Sequence, residues 1–150
     1  MSAPDPQRRL SADEALDLLR VAHAAVQLAY APYSKVRVGA ALVGADGQVY
    51  SGCNVENASY GLTICAERSA VFRAVASGER KFRAIAIATN LPGALMPCGA
   101  CRQVLAEFGL ELEVIVQGRE SDVQRVRLSE LLPKAFSPAD LRGANDSSAP

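Results

Sequence analysis

Three thiols and one carboxylate fall into two short stretches of this 150-residue chain. Cys65 is followed two residues later by Glu67, and farther along Cys98 and Cys101 form a Cys-x-x-Cys pair. Such a pair offers two thiolate ligands at the spacing of one helical turn. With Cys65 as a third ligand, one position of a tetrahedral zinc ion stays open, as in catalytic sites. Glu67 can then exchange protons with an activated water without binding the metal, which is the task of a general base.

A Cys-x-x-Cys pair alone also occurs in structural zinc sites and in redox-active dithiols. A structural zinc ion needs a fourth protein ligand, and the spare candidates are Cys53 and His23. Cys53 falls in a predicted strand, where we expect it to pack as a small buried apolar residue. His23 is flanked by alanines on a predicted helix and is expected at a surface or interface. The Cys-Ala-Glu sequence therefore favours a catalytic zinc site.

These motifs resemble the zinc-dependent cytidine deaminases, specifically the small homotetrameric type with three cysteine ligands. The resemblance begins with Cys65-Ala66-Glu67 and Pro97-Cys98-Gly99-Ala100-Cys101 and extends over most of residues 12–142. It includes Tyr30-Ala31-Pro32-Tyr33-Ser34-Lys35, Gly52-Cys53-Asn54-Val55-Glu56-Asn57-Ala58 and Leu131-Leu132-Pro133-Lys134-Ala135-Phe136. It implies hydrolytic deamination of cytidine and 2′-deoxycytidine in pyrimidine salvage, one Zn²⁺ per subunit, and a homotetramer.

The resemblance also implies roles for residues around the metal. Glu67 would carry a proton from water to N3 of the cytosine and would then protonate the departing ammonia. Arg68, beside the motif, would donate hydrogen bonds to the thiolate sulfurs. Ala66 would offer backbone hydrogen bonds to the base, while Asn54 and Glu56 would hold ribose hydroxyls. The pocket would be closed from neighbouring subunits by three further positions: Ala58, Tyr60 and Phe136.

One position departs from the family pattern. Val36 stands where the family typically has a phenylalanine that packs on the cytosine ring, so base binding is expected to be weaker. Val36 also keeps a second enzyme hypothesis open, the deamination of a cytosine nucleoside antibiotic such as blasticidin S. A hypothesis from another class is a non-catalytic, zinc-stabilised binding module.

Composition limits the partners and the compartment. Lys plus Arg and Asp plus Glu both number 16, so no net positive charge attracts nucleic acid. No apolar run reaches the roughly 20 residues of a membrane span, and the first residues lack the pattern of a signal peptide. Thiolate ligands require a reducing compartment. We therefore expect a cytoplasmic enzyme for a small nucleoside, with no membrane or nucleic-acid partner.

The order of predicted elements indicates an α/β fold, a three-layer α-β-α sandwich around a mixed five-stranded sheet. Residues 1–10 are predicted to form a flexible arm, 11–142 a single catalytic domain and 143–150 a disordered tail. Helices are predicted at 11–29, 63–77, 98–108 and 129–132, and strands at 36–43, 48–55, 82–89, 112–116 and 123–128. The two long central helices would place the zinc ligands in their first turns, where unpaired amides stabilise thiolates.

Overall fold

Five strands form one sheet in the computed structural model, which describes residues 8–142. They are β1 (Val38–Gly44), β2 (Val49–Cys53), β3 (Phe82–Thr89), β4 (Glu113–Gln117) and β5 (Gln124–Arg127). Their order across the sheet is β2-β1-β3-β4-β5. β3 and β4 pair in parallel, and the other neighbours pair antiparallel. The predicted mixed five-stranded sheet is confirmed.

Three longer helices and two short ones accompany the sheet. They are α1 (Ala12–Val26), α2 (Ala66–Ala76), α3 (Gly99–Ala106), α4 (Leu128–Leu131) and α5 (Pro138–Leu141), with a 3-10 turn at Tyr60–Leu62 before α2. α5 and the 3-10 turn were not predicted. Within residues 8–142, none of the helices has the length and apolar character to cross a membrane.

Helix α1 begins with a capping box. The Ser11 hydroxyl accepts a hydrogen bond from the Glu14 amide at 3.1 Å, and the Ser11 amide donates to Glu14 Oε2 at 2.6 Å. The helix ends at Val26, earlier than predicted, because the next amides turn back to carbonyls three residues before them. The cap thus fixes the start of α1, and a tightened last turn fixes its end.

Alternating side chains of β1 build two apolar cores, one on each face of the sheet. Ala41 and Val43 share a core with Ala86 of β3 and with Leu18 and Leu19 of α1. On the other face the core contains residues of the sheet, α2 and α3, among them Ala40, Leu42, Ile85, Ala70 and Leu105. The cores place α1 on one face of the sheet and α2 and α3 on the other, as the predicted sandwich requires.

The predicted terminal segments lie partly outside the described residues. This applies to residues 1–7 of the arm and to the tail at 143–150. Residues 8–10 are held against the domain. Leu10 is buried, its amide donates to Glu113 Oε2 at 3.1 Å, and Arg8 pairs with Glu14 at 2.9 Å. Glu113, which is fully buried on β4, also accepts from Arg125 Nε at 2.9 Å.

The start of α2 lies directly against β2. A Cβ built on Gly52 would meet the Ala66 carbonyl oxygen at 2.6 Å, so only glycine permits this approach. Helix α2 was predicted to begin at residue 63 but begins at Ala66, because Cys65 is still extended and serves as its N-cap. Gly52 therefore determines how closely the first turn of α2 approaches the sheet.

We predict that Gly52→Ala destabilises the protein and lowers its zinc content, because the added methyl group pushes the first turn of α2 away from β2. Overpacking of this kind costs about 1–3 kcal/mol. Chemical denaturation and metal analysis measure the two effects. Gly61→Ala is the control, since a Cβ there meets nothing within 4 Å. Equal stability and zinc content in the two variants would contradict this account of Gly52.

Candidate metal centre

Three thiols converge at one end of the sheet. The sulfurs of Cys65, Cys98 and Cys101 all lie within 4.8 Å of one another, and Cys65 Sγ and Cys98 Sγ are 3.8 Å apart. Tetrahedral zinc with Zn–S bonds of about 2.3 Å separates its sulfurs by roughly 3.8 Å. Cys101 is buried and Cys98 is exposed, so the group reaches the surface on one side. The geometry and the donor set both fit a zinc ion.

Two helix N-termini bring these thiols together. Cys65 is the N-cap of α2, Cys98 is the N-cap of α3, and Cys101 lies in the first turn of α3. Neither N-cap side chain accepts a hydrogen bond from a backbone amide of its helix, so both sulfurs remain available to a metal. The unpaired amides and the positive end of each helix stabilise negative charge on sulfur. Cys101 lies in a first turn as predicted, whereas Cys65 and Cys98 lie one position before their helices.

Arg68 supplies the positive side chain of the site. Its Nη2 donates to Cys65 Sγ at 3.3 Å, while its buried Nε has no hydrogen-bond partner among the described residues. Hydrogen bonds from Cys101 and then from Arg68 lower the pKa of Cys65 to about 5 against the opposing effect of burial. The pKa of Cys101 is raised by its hydrogen bond to Cys65 and by burial. Arg68 thus contacts the three-thiol group by donating a hydrogen bond to one of its sulfurs.

Glu67 is the buried carboxyl group of the site. It lies in the first turn of α2 with only 5% of its surface exposed. Burial raises the pKa of Glu67 to about 7, and the negative charge of Cys65 adds to this effect. Among residues 8–142 the group of potential metal ligands contains the three cysteines and does not include Glu67. The carboxyl group is therefore beside the thiols without being one of the ligands.

The two candidates for a fourth protein ligand are engaged elsewhere. His23 Nε2 lies 3.0 Å from Gln117 Oε1, and Cys53 Sγ lies 3.6 Å from the Leu28 carbonyl oxygen. Cys53 is partly buried at the end of β2, and burial raises its pKa. Neither residue belongs to the ligand group found in the described part of the chain. A structural site with four protein ligands has no support from these residues.

Comparison with known proteins agrees with this site. The family model for the cytidine and deoxycytidylate deaminase zinc-binding region matches residues 12–117. The chain belongs to the cytidine deaminase family. Zinc is accordingly the metal that the three thiols hold, one ion in each subunit.

Individual relatives match most of the chain. A cytidine deaminase of Sporosarcina psychrophila is 49% identical over 114 residues, 75% of this chain and 84% of the relative. One from Halalkalibacterium halodurans is 47% identical over 125 residues, 83% of this chain and 95% of the relative. The crystal structure of cytidine deaminase from Burkholderia pseudomallei is 50% identical, with a TM-score of 0.78, and covers 85% of this chain and 100% of that one. These similarities confirm the predicted fold class.

Asn54 and Val36, two of the predicted substrate-binding residues, are joined by a hydrogen bond. Asn54 is buried, its Oδ1 accepts from the Val38 amide at 2.8 Å, and its Nδ2 donates to the Val36 carbonyl at 2.8 Å. The side chain therefore fixes the backbone that carries Val36, itself half-buried. Asn90 holds the same segment from the other side, accepting from the Arg37 amide and donating to the Lys35 carbonyl.

Glu56 and Tyr60 line a cavity of about 400 Å³. Tyr33 and Tyr60 meet edge to face across it, with their ring centroids 5.7 Å apart. The amides of Tyr33 and Ser34 donate to Glu56 Oε1 at 2.9 and 3.2 Å, and the hydrogen bonds of Ser34 are the main reason that the pKa of Glu56 is lowered. Tyr33 and Ser34 had no predicted role, although both stand in a motif that carried the resemblance.

The remaining predicted residues occupy three different environments. Ala66 is fully buried at the first position of α2, and Ala58 is exposed in the loop before it. Phe136 is 59% exposed, and its carbonyl accepts from Gln103 Nε2 on α3 at 2.9 Å. It does not line the cavity of Glu56 and Tyr60 within the described chain.

We predict that Cys98→Ala loses zinc, whereas Glu67→Gln retains it at the stoichiometry of the unchanged protein. The first change removes a ligand, and the second removes a proton carrier that does not bind the metal. Metal analysis after dialysis, together with circular dichroism, separates loss of metal from loss of fold. Loss of zinc from Glu67→Gln would show that the carboxylate is a ligand.

Proposed function

We propose that the protein hydrolyses cytidine and 2′-deoxycytidine to uridine and 2′-deoxyuridine with release of ammonia, as in pyrimidine salvage. The observation that carries this proposal is a three-thiol zinc site beside a buried carboxyl group that is not a ligand. The relatives of this chain that are named cytidine deaminases support cytosine as the base of the substrate. The thiol ligands favour a reducing compartment, which we take to be the cytoplasm.

The net reaction adds the oxygen of water to C4 of the base and removes the exocyclic amine as ammonia. Zinc, when bound, is a Lewis acid that activates water. Glu67 accepts one proton of that water and delivers it to N3 of the ring. It then accepts the second proton of the same oxygen, by then the hydroxyl on C4, and delivers it to the leaving amine as the C4–N bond breaks. Burial suits the carboxyl group to this shuttle, because a pKa near neutrality lets it both accept and return a proton.

Charge at the site is balanced by the protein. Three thiolates on a divalent zinc ion leave one excess negative charge, which would make an activated water a weaker acid. The Arg68 hydrogen bond to Cys65 and the N-termini of α2 and α3 withdraw electron density from the sulfurs. Arg68 therefore acts on the reaction through the thiolate that it contacts.

Asn54 and Glu56 hold the sugar in this proposal. One Nδ2 hydrogen of Asn54 binds the Val36 carbonyl, and the second is left for a ribose hydroxyl. Glu56, oriented by the amides of Tyr33 and Ser34, accepts from a hydroxyl. A carboxylate at this position also disfavours a phosphorylated sugar through charge repulsion. Ala66 presents its backbone to the base.

The ultraviolet absorbance of cytidine, deoxycytidine and blasticidin S with zinc-loaded protein tests the proposal. We expect both nucleosides to be converted and the antibiotic to be spared. Glu67→Gln is the control and should reduce turnover by about a hundredfold to ten-thousandfold. Conversion of blasticidin S alone would reassign the substrate. Conversion of none of the three would favour a zinc-stabilised binding module.

We predict that Val36→Phe lowers the KM for cytidine by roughly three- to tenfold and changes kcat little. The aromatic ring adds a face on which the base can pack, worth about 0.5–1.5 kcal/mol, and leaves zinc and Glu67 unchanged. Steady-state kinetics measure both constants, with Val36→Leu as a control for side-chain volume. If Val36→Phe abolishes turnover, the base does not lie beside residue 36.

Self-association would complete the pocket. Tyr60 and Phe136 are 75% and 59% exposed, although both stand at positions that the family uses to close the site between subunits. On the outer side of α2 and α3, Phe72, Val104 and Phe108 line an apolar groove of about 610 Å³. We propose a homotetramer in which neighbouring copies cover these surfaces and contribute Ala58, Tyr60 and Phe136 to each other's pockets.

We predict that Phe72→Glu dissociates the oligomer and lowers activity at low protein concentration, because it places a charge in an apolar contact. Analytical ultracentrifugation and assays over a range of concentrations measure the two effects. Leu16→Glu is the control, since Leu16 is exposed on α1 at the opposite face of the sheet. If Phe72→Glu or the unchanged protein is a fully active monomer, the pocket is not shared between subunits.

A further inference from the structure

A second cavity, of about 390 Å³, lies on the α1 face of the sheet, away from the metal centre on the α2 and α3 face. Its walls are largely apolar, with Leu18 and Val21 from α1, Val43 from β1 and Val49 from β2. Arg83 of β3, which is buried, also lines the cavity. The volume is at the lower end of the roughly 300–1,000 Å³ typical of small-molecule sites.

A β-bulge directs Arg83 into this cavity. The register between β1 and β3 pairs Val43 with Ala84 but Gly44 with Phe82, so Arg83 has no partner across the pair. Phe82 packs on Phe108 on the α2 and α3 face, with the ring centroids 4.9 Å apart. Bulges re-aim side chains in this way, and here the result is a guanidinium on the α1 face with only 8% of its side chain exposed.

The guanidinium is left with two donors unsatisfied. Arg83 Nε and Nη2 are buried and have no hydrogen-bond partner in the described part of the chain. The nearest carboxylate oxygen, Glu14 Oε1, is 4.0 Å from Nη2 and already accepts from Arg8 at 2.9 Å. Nε and Nη2 carry the two parallel N–H groups of the side-on fork, which matches the two oxygens of a carboxylate.

Charge and surface character narrow the ligand class. Both acidic groups lining the cavity have an arginine of their own, Arg8 for Glu14 and Arg20 for Asp17. Arg83 therefore leaves one positive charge for a ligand, whereas the nearby carboxylates disfavour a dianion. The apolar walls suit a hydrocarbon portion. We propose that the Arg83 cavity binds a small organic monocarboxylate, with its carboxylate on the fork and its apolar body against Leu18, Val21 and Val49.

Thermal unfolding of the zinc-loaded full-length protein tests the site with three probes: hexanoate, its uncharged amide and inorganic phosphate. Hexanoate at one hundred times its Kd should raise the Tm by about 5–10 °C, and the other two probes should not. Equal shifts with hexanoate and hexanamide would refute recognition by charge. A shift with phosphate alone would show a simple anion site, and no shift would show that water or Glu14 satisfies the fork; either result overturns the proposal.

Variants test whether the Tm shift depends on the two N–H groups of Arg83. Arg83→Met should abolish the shift, and Arg83→Lys, which keeps the charge but loses the fork, should weaken binding by about tenfold or more. Arg80→Met, at an exposed arginine just before β3, is the matched control and should respond like the unchanged protein. Val49→Trp fills part of the cavity from β2 and leaves Arg83 in the chain, so it tests the site even if Arg83→Met does not fold. An unchanged response in Arg83→Met or Val49→Trp would refute the site.

Discussion

The convergence of two helix N-termini is the constraint on which the rest of the structure depends. Three thiolates repel one another, so they can share a small volume only where positive charge compensates them. The first turns of α2 and α3 provide this compensation with unpaired amides, and Arg68 adds a hydrogen bond at 3.3 Å to Cys65 Sγ. The fold must therefore bring both helices to the same end of one face of the sheet.

The sheet meets this requirement through its strand order and one glycine. Helix α2 connects β2 to β3, and α3 connects β3 to its parallel neighbour β4. Both helices pack on the same face of the sheet. Gly52 lets the first turn of α2 approach β2 without a steric clash. Glu67, the residue after Ala66 in this turn, is buried, and burial raises the pKa of its carboxyl group. Packing thus determines both the position of the site and the pKa of its carboxyl group.

Local signals in the sequence predicted the elements and the ligand set, because each is encoded within a few residues. The capping box at Ser11 and the uninterrupted apolar run of β3 are examples. The contacts of Asn54 with Val36 and Val38, and the bulge that redirects Arg83, depend on strand register and were not predictable from local patterns. Helix α5 has a local signal as well, Ser137 with Asp140 three residues later, although the sequence analysis does not predict this helix.

X-ray absorption at the zinc edge tests the central claim most directly, since it counts the atoms around the metal. The account predicts three sulfurs at about 2.3 Å and one nitrogen or oxygen neighbour. It also predicts the same three sulfurs and one light neighbour when Glu67 is replaced by glutamine, because the carboxyl group is not a ligand. Four sulfurs, or loss of the light neighbour in that variant, would contradict an open three-thiol site with Glu67 beside it.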